Sequence, residues 1–139
     1  KVLDLGCGYG WHCKYVVNHG AKEVVGIDLS HKMLEVALDI NNDKKITYQQ
    51  SAIEDINFPA DTFDVVFSSL AFHYISNFED LVCKISKWLK KNGEFISIHI
   101  HTLNPKLFYP ENLGVVFLIQ TIHQRPSIPF GTLTSMHNF

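Results

Sequence analysis

A glycine-rich turn directly after a short apolar run constrains this chain more than any other feature. The motif Asp4-x-Gly6-x-Gly8-x-Gly10 begins within the apolar stretch Val2–Leu5 and continues into a turn at residues 6–10. A sharp turn needs positive φ angles, which glycine adopts at little cost. Its missing side chains let a ligand approach the backbone, and the first N–H groups of a following helix have no intrahelical partner. The pattern therefore predicts a strand, a ligand-binding turn and a helix, in that order.

An acidic residue at the end of the next apolar run strengthens this prediction. Asp28 closes residues 23–28, and a carboxylate there can accept two hydrogen bonds from a ribose diol. A glycine turn followed by such an acid is typical of nucleotide sites. Tight packing is the structural alternative for the glycines. The pair alone does not separate a dinucleotide from another adenosine ligand.

Strand and helix patterns alternate along the first part of the chain. Strands are predicted at residues 2–5, 23–28, 46–50, 63–68 and 94–100. Helices are predicted at residues 11–18, from Ser30 onward, and from the capping-box spacing at residues 76–79 through Leu89. This alternation predicts an α/β fold in which a mostly parallel sheet carries helices on both faces.

Individual residues predict where these helices begin and end. Gly20 is expected to stop the first helix as a left-handed cap. Ser30 can cap the second helix, in which Met33 and the aliphatic residues around it are expected to form core. Lysines at 90–91 suit the negative end of the third helix, and Gly93 is expected to terminate it.

The last part of the chain has a less regular pattern. The apolar run at residues 113–122 fits either a helix or a strand, because periodicity alone does not settle so short a segment. We expect residues 1–100 to form the ligand-binding core. Residues 101–139 are a tail of uncertain structure that could be a partial or divergent end of the same domain. If no strand follows the fifth, its bare edge would favour association between molecules.

Composition narrows the classes of partner. The net charge is -2, and no basic stretch exceeds a lysine pair, so we expect no nucleic-acid interface. The 3 cysteines are scattered, which suits a reducing, cytoplasmic setting rather than a disulfide scaffold. No apolar run approaches the ~20 residues of a membrane span, so no membrane partner is expected. The oligomeric state is open.

Five segments carry a resemblance to a known family. They are residues 2–10 (VLDLGCGYG), 25–30 (VGIDLS), 51–59 (SAIEDINFP), 63–75 (FDVVFSSLAFHYI) and 89–95 (LKKNGEF). Together, and in this order, they resemble class I S-adenosylmethionine-dependent methyltransferases of the small-molecule "methyltransferase domain" type. The resemblance implies a three-layer, Rossmann-like α/β sandwich with about five recognisable strands. It also implies S-adenosyl-L-methionine as cofactor and a small-molecule methyl acceptor.

The resemblance also implies which residues surround the cofactor. They are Asp4, Gly6, Gly8, Gly10, Asp28, Leu29, Ala52, Ile53, Ser68 and Leu70. Asp4 and the glycine backbone would face the methionine part, and Asp28 would hold the ribose hydroxyls. Leu29 and Ile53 would contact the adenine, whereas Ser68 and Leu70 would lie beside the sulfonium end. Ala52 stands where many relatives carry Asp, so Glu54 or Asp55 would replace that adenine contact, or it would be missing.

Candidates for chemistry are fewer, because the cofactor carries the reactive group. His73 follows the fourth strand and is the best candidate for a general base, with a packing histidine as the alternative. Tyr9, Trp11 and His12 are close enough in sequence to the glycine turn to line the cofactor pocket. For Trp11, packing at the start of the helix is an equally good interpretation.

Two alternatives to an active methyltransferase remain at this point. Relatives usually carry segments before the first motif and after the fifth strand, so this chain resembles one truncated at both ends. It could therefore bind the cofactor without turnover. A nicotinamide-dependent oxidoreductase is favoured only by the glycine turn and Asp28.

No metal site is predicted, because His99 and His101 share a strand face without a third ligand.

Overall fold

The structure, a computed structural model, describes residues 1–69, 71, 75, 77–101 and 116–123. Within these residues the chain forms three helices and six strands. Their order is β1 Val2–Leu5, α1 Trp11–Asn18, β2 Val24–Asp28, α2 His31–Ile40, β3 Ile46–Gln50, β4 Phe63–Ser69, α3 Phe78–Trp88, β5 Leu89–His101 and β6 Val116–His123. None of the helices in the described ranges combines the length and the hydrophobicity needed to cross a membrane.

All six strands join one sheet in the order β3-β2-β1-β4-β5-β6. Neighbours from β3 through β5 pair in parallel, and β6 pairs with β5 in the antiparallel direction. This confirms the predicted α/β class with a mostly parallel sheet. The apolar run that fitted either a helix or a strand contributes β6. The outer edge of β5 is therefore paired with β6, so the condition for association at a bare fifth strand is not met.

Two apolar layers cover the sheet, one on each face. The layer on the α3 side includes Leu3, Leu5, Ile27, Phe63, Val66, Ile85, Trp88 and Phe95. The layer on the side of α1 and α2 includes Cys7, Cys13, Val17, Val24 and Leu34. Side chains alternate between the faces of a strand, so Asp4 lies on the α1 side between Leu3 and Leu5. Strand order reverses at β1, and ligands of open α/β sheets bind where the strands end at such a switch point.

The third helix differs from its prediction at both ends. It begins after Asn77, whose side chain accepts a hydrogen bond from the Asp80 amide at 3.3 Å, so the predicted capping box is wrong. It ends at Trp88, and Gly93 does not terminate it. Leu89 is extended, 2% exposed and paired with Phe63 of β4. Burial of Leu89 in the sheet outweighs the local signals that favoured a longer helix.

The second helix begins as predicted, but it buries less than expected. The Ser30 hydroxyl accepts a hydrogen bond from the Met33 amide at 3.3 Å. Only Leu34 and Ala37 are buried on this helix, and its other apolar residues Met33, Val36, Leu38 and Ile40 are exposed. The expectation that Met33 lies in the core is wrong, because α2 lies over β2 and the edge strand β3 and only one stripe of it meets the sheet.

Candidate cofactor-binding site

The glycine turn joins β1 to α1 with the geometry that its sequence predicts. Gly6, Gly8 and Gly10 have φ angles of 76°, 53° and 78°. The amides of Gly6 and Cys7 both donate to the Ile27 carbonyl, at 2.8 and 2.9 Å, so the turn is attached to the end of β2. Gly10 is the N-cap residue of α1 and provides no side-chain acceptor for the first N–H groups of the helix.

The space around each glycine separates a packing role from a ligand role. A Cβ on Gly6 would lie 2.4 Å from the Ala71 Cβ, and one on Gly10 would lie 2.1 Å from the Tyr48 hydroxyl. At Gly8, a Cβ would meet no heavy atom of the described residues within 4 Å. Packing therefore explains Gly6 and Gly10, whereas Gly8 faces open space that a ligand can occupy.

Asp28 lies beside this open space and is held in one orientation. Its Oδ2 accepts from the Gly8 amide at 2.8 Å, and its Oδ1 accepts from the Ser30 amide at 2.8 Å. An ionised carboxylate has about four lone-pair positions, so both oxygens retain capacity for a second donor. The residue is only partly buried. This geometry fits a vicinal diol that donates to both oxygens.

Asp4 is a buried carboxyl group whose hydrogen bonding is incomplete. Its exposed fraction is 2%, and its Oδ2 accepts from the Cys13 thiol at 3.3 Å. Its Oδ1 has no hydrogen-bond partner among the described residues. Burial raises the pKa of Asp4 to about 7, and the charge on Asp28 adds to the rise. An orphaned buried oxygen is costly, so a cationic donor such as the ammonium of the cofactor's methionine part fits here.

The raised pKa of Asp4 predicts that stability falls as pH rises. The folded protein keeps the Asp4 proton from the ordinary pKa of 3.8 up to about 7, whereas the unfolded chain releases it at 3.8. The contribution of Asp4 to the free energy of unfolding should therefore decrease across this window, by about 2 to 4 kcal/mol in total. Asp4→Asn keeps the shape without the charge, so its urea-unfolding free energy should lack this decrease. Equal pH dependence of wild type and variant would contradict the assignment.

The predicted adenine side is built from the residue after Asp28 and the segment after β3. Leu29 is 69% exposed although it is apolar, so its side chain offers an uncovered surface beside the carboxylate. The Ser51 amide donates to the Asp28 carbonyl at 3.0 Å, which holds the start of residues 51–55 against β2. Ile53 is 9% exposed, and Ala52 is partly buried. The structure thus brings Asp28, Leu29 and this segment to one edge of the sheet.

The remaining predicted residues lie in more varied surroundings. Ser68 is fully buried, and its hydroxyl donates to the Leu5 carbonyl at 2.8 Å. Tyr9 and Trp11 are about half exposed. The His12 ring lies 4.8 Å from the Phe67 ring between centroids, and burial lowers the pKa of His12.

Some predicted positions fall outside the described part of the chain. These are Leu70, His73 and the side chains of His99 and His101. Within the described residues, no group of three metal-ligating side chains occurs. Sequence reasoning did not identify Cys13, Asn41 or Tyr48, which contact Asp4 or the turn. No sequence motif marks these three residues, because each lies on or next to a different element and only the fold brings them together.

Comparison with known proteins identifies the family. A family model described as "Methyltransferase domain" matches residues 3–97. The chain belongs to that family. The predicted class I methyltransferase ancestry is confirmed, and the glycine turn belongs to a methyltransferase domain rather than to a nicotinamide-dependent oxidoreductase.

Individual relatives agree with the family match. A structure of a putative S-adenosylmethionine-dependent methyltransferase from Listeria monocytogenes is 51% identical, with a TM-score of 0.70 over 72% of this chain and 47% of that one. An uncharacterized methyltransferase from Synechocystis is 36% identical over 100% of this chain and 66% of its own length. An uncharacterized protein from Haemophilus influenzae is 40% identical over 74% of this chain and 43% of its own length. The chain thus spans between two fifths and two thirds of these relatives.

Proposed function

We propose that this chain binds S-adenosylmethionine at the carboxyl ends of β1 and β2 and transfers its methyl group to a small-molecule acceptor. The observation that carries the proposal is the pairing of Asp28 with the Gly8 amide at 2.8 Å beside open space. The orphaned oxygen of Asp4 supports it, because it supplies a place for a cationic donor. Membership in the methyltransferase-domain family supports the reaction type.

The chain's own residues would bind and orient the cofactor. The Asp28 carboxylate would accept from the ribose hydroxyls, and Asp4 would accept from the methionine ammonium. Leu29 would pack on the adenine, and the backbone near Ile53 would bond its edge. When bound, the cofactor supplies a methyl group made electrophilic by a sulfonium, so the protein's contribution is position and exclusion of water.

A general base is required only where the acceptor keeps its proton at neutral pH. We propose His73 for that role. His73→Gln should then lower kcat by about 100-fold or more without changing cofactor affinity. Turnover and S-adenosylhomocysteine titration would measure the two effects. An unchanged kcat would remove His73 from the mechanism.

The net charge of the chain and the substrate of one of its relatives support a small-molecule methyl acceptor. A net charge of -2 is unfavourable for binding a nucleic-acid backbone. Lys14, Lys84 and Lys90 are each engaged by carbonyl or carboxylate oxygens of this chain. A phosphoethanolamine N-methyltransferase from Arabidopsis thaliana is 33% identical over 80% of this chain. A tRNA U34 carboxymethyltransferase from Mannheimia succiniciproducens is 31% identical over 92% of this chain. Transfer RNA is therefore the second candidate for the methyl acceptor.

Methyl-labelled S-adenosylmethionine tests the proposal and its alternatives. The protein is incubated with the labelled cofactor and either a small-molecule fraction or the total RNA of a cell extract, with Asp28→Asn as the matched control. Label in the small-molecule fraction that depends on Asp28 supports the proposal. Label in RNA would instead support the tRNA alternative. Binding of the cofactor with no label in either fraction would indicate a cofactor-binding chain without turnover.

A further inference from the structure

Residues outside the predicted site attach the glycine turn to the far edge of the sheet. The Asn41 side chain, directly after α2, donates from Nδ2 to the Tyr9 carbonyl at 2.8 Å. The Tyr48 hydroxyl, from the edge strand β3, donates to the Asn41 carbonyl at 3.0 Å. These two hydrogen bonds form a continuous link from β3 through Asn41 to the turn. We call this link the turn brace.

The ring of Tyr48 fills the space between β2, β3 and the turn. A Cβ on Gly10 would lie 2.1 Å from the Tyr48 hydroxyl, and a Cβ on Gly26 would lie 2.9 Å from its Cδ1. Tyr48 also packs against the apolar layer that contains Cys7 and Cys13. The residue is therefore held by packing on two sides, so its hydroxyl is fixed in position rather than merely present at the surface.

Lys14 attaches the same connection from the side of α1. Its Nζ lies 3.0 Å from the Asn42 carbonyl and 3.1 Å from the Asp43 Oδ2, and donates to both. The ion pair with Lys14 helps to lower the pKa of Asp43, after a larger effect of the hydrogen bond from the Lys45 amide. Residues 41–43 are therefore tied to α1, β3 and the glycine turn at once.

The brace acts on the Tyr9–Gly10 peptide unit of the turn, which lies between Gly8 and α1. The carbonyl of the Tyr9–Gly10 peptide accepts from Asn41, and its N–H donates to the Cys7 carbonyl at 2.9 Å. Both polar groups of this peptide are thus fixed. Glycines on either side have wide conformational freedom, so the turn has little preference of its own for one orientation. The hydrogen bond from Asn41 therefore helps to select this orientation.

We propose that Asn41 and Tyr48 are positioning residues that hold the glycine turn in the orientation that binds the cofactor. This inference rests on the proposed function, because it concerns the same site. Neither residue would touch the reacting atoms. They act through the Tyr9 carbonyl, and thereby on Gly8 and the Asp28 carboxylate that its amide contacts.

Two variants test the brace against a matched control. Tyr48→Phe removes one hydroxyl and keeps the ring that packs against Gly10, and Asn41→Ala removes the bond to Tyr9. Each should weaken S-adenosylhomocysteine binding by about threefold to tenfold in titration calorimetry, which is the range of one hydrogen bond. Because the two bonds form one link, the double variant should lose less than the product of the single losses. Tyr15→Phe is the control, because it makes the same chemical change at a residue of α1 that is 47% exposed and whose hydroxyl has no hydrogen-bond partner among the described residues.

Amide hydrogen exchange of the free protein supplies a second measurement that needs no cofactor. The amides of residues 6–10 should exchange at least about threefold faster in Tyr48→Phe than in wild type or Tyr15→Phe, while those of β4 stay unchanged. Unchanged exchange in the turn and unchanged affinity would overturn the inference. Wild-type protein that binds no S-adenosylhomocysteine would contradict the proposed function instead. In that case, amide hydrogen exchange of residues 6–10 would still show whether the turn brace holds the glycine turn.

Discussion

Asp28→Asn is expected to weaken S-adenosylhomocysteine binding by at least about 100-fold, because hydrogen bonds to a charged group contribute about 1.5 to 3 kcal/mol each. Asparagine keeps the shape of Asp28, but one of its two polar atoms is a donor. That atom would face either the Gly8 amide or the Ser30 amide, both of which donate to the carboxylate. The substitution thus removes an acceptor for the ribose and disturbs the turn. Titration calorimetry of the purified variant measures the loss.

Asp39→Asn is the matched control for this prediction. The substitution makes the same chemical change at an exposed residue of α2. Its affinity should equal that of the wild type, and circular dichroism should show that both variants are folded. An Asp28→Asn affinity within about threefold of wild type would mean that this carboxylate does not hold the ligand.

Gly10→Ala is expected to lower the free energy of unfolding by about 3 kcal/mol or more. A left-handed backbone costs a non-glycine residue about 1 to 2 kcal/mol, and here the new Cβ also meets the Tyr48 hydroxyl at 2.1 Å. Gly8→Ala also places alanine in a left-handed backbone but causes no collision. It should therefore lower the free energy of unfolding by only about 1 to 2 kcal/mol. Its Cβ would instead enter the open space and abolish cofactor binding. Urea unfolding and calorimetry separate the two effects.

Gly20→Ala distinguishes backbone strain from blocking of a ligand. Gly20 also has a positive φ, 101°, and no heavy atom of the described residues lies within 4 Å of its built Cβ. It follows α1 at the end away from the glycine turn. Because a φ of 101° lies beyond the left-handed region that alanine tolerates, its stability loss should be at least that of Gly8→Ala, but its cofactor affinity should be unchanged. If Gly8→Ala also kept full affinity, the space at Gly8 would not be the cofactor site.

Local signals predicted those parts of the fold that local interactions determine. The bounds of β1, α1 and β3 match their predictions, because apolar runs, the glycine turn and the stop at Gly20 act within a few residues. The end of α3 was missed because Leu89 is buried by pairing with Phe63, which is distant in sequence. Met33 was misassigned because its exposure depends on α2 lying at the edge of the sheet.

In the candidate site, too, local sequence signals predict some features, whereas contacts between distant residues determine others. Asp28 and the glycine turn could be found from spacing, since a strand–turn–helix unit brings them together. The separate roles of Gly8 and Gly10 could not, because they depend on whether Tyr48 of another strand fills the adjacent space. The orphaned oxygen of Asp4 likewise follows from burial beneath α1 rather than from any motif. His73 stays a prediction, since it lies outside the described residues.

Titration calorimetry of the wild-type chain with S-adenosylmethionine, S-adenosylhomocysteine and NAD tests the central claim most directly. A cofactor site built from Asp4, Gly8 and Asp28 predicts saturable binding of the first two ligands, one per chain, and no binding of NAD. A folded chain that binds NAD and neither of the sulfur-containing ligands would contradict it.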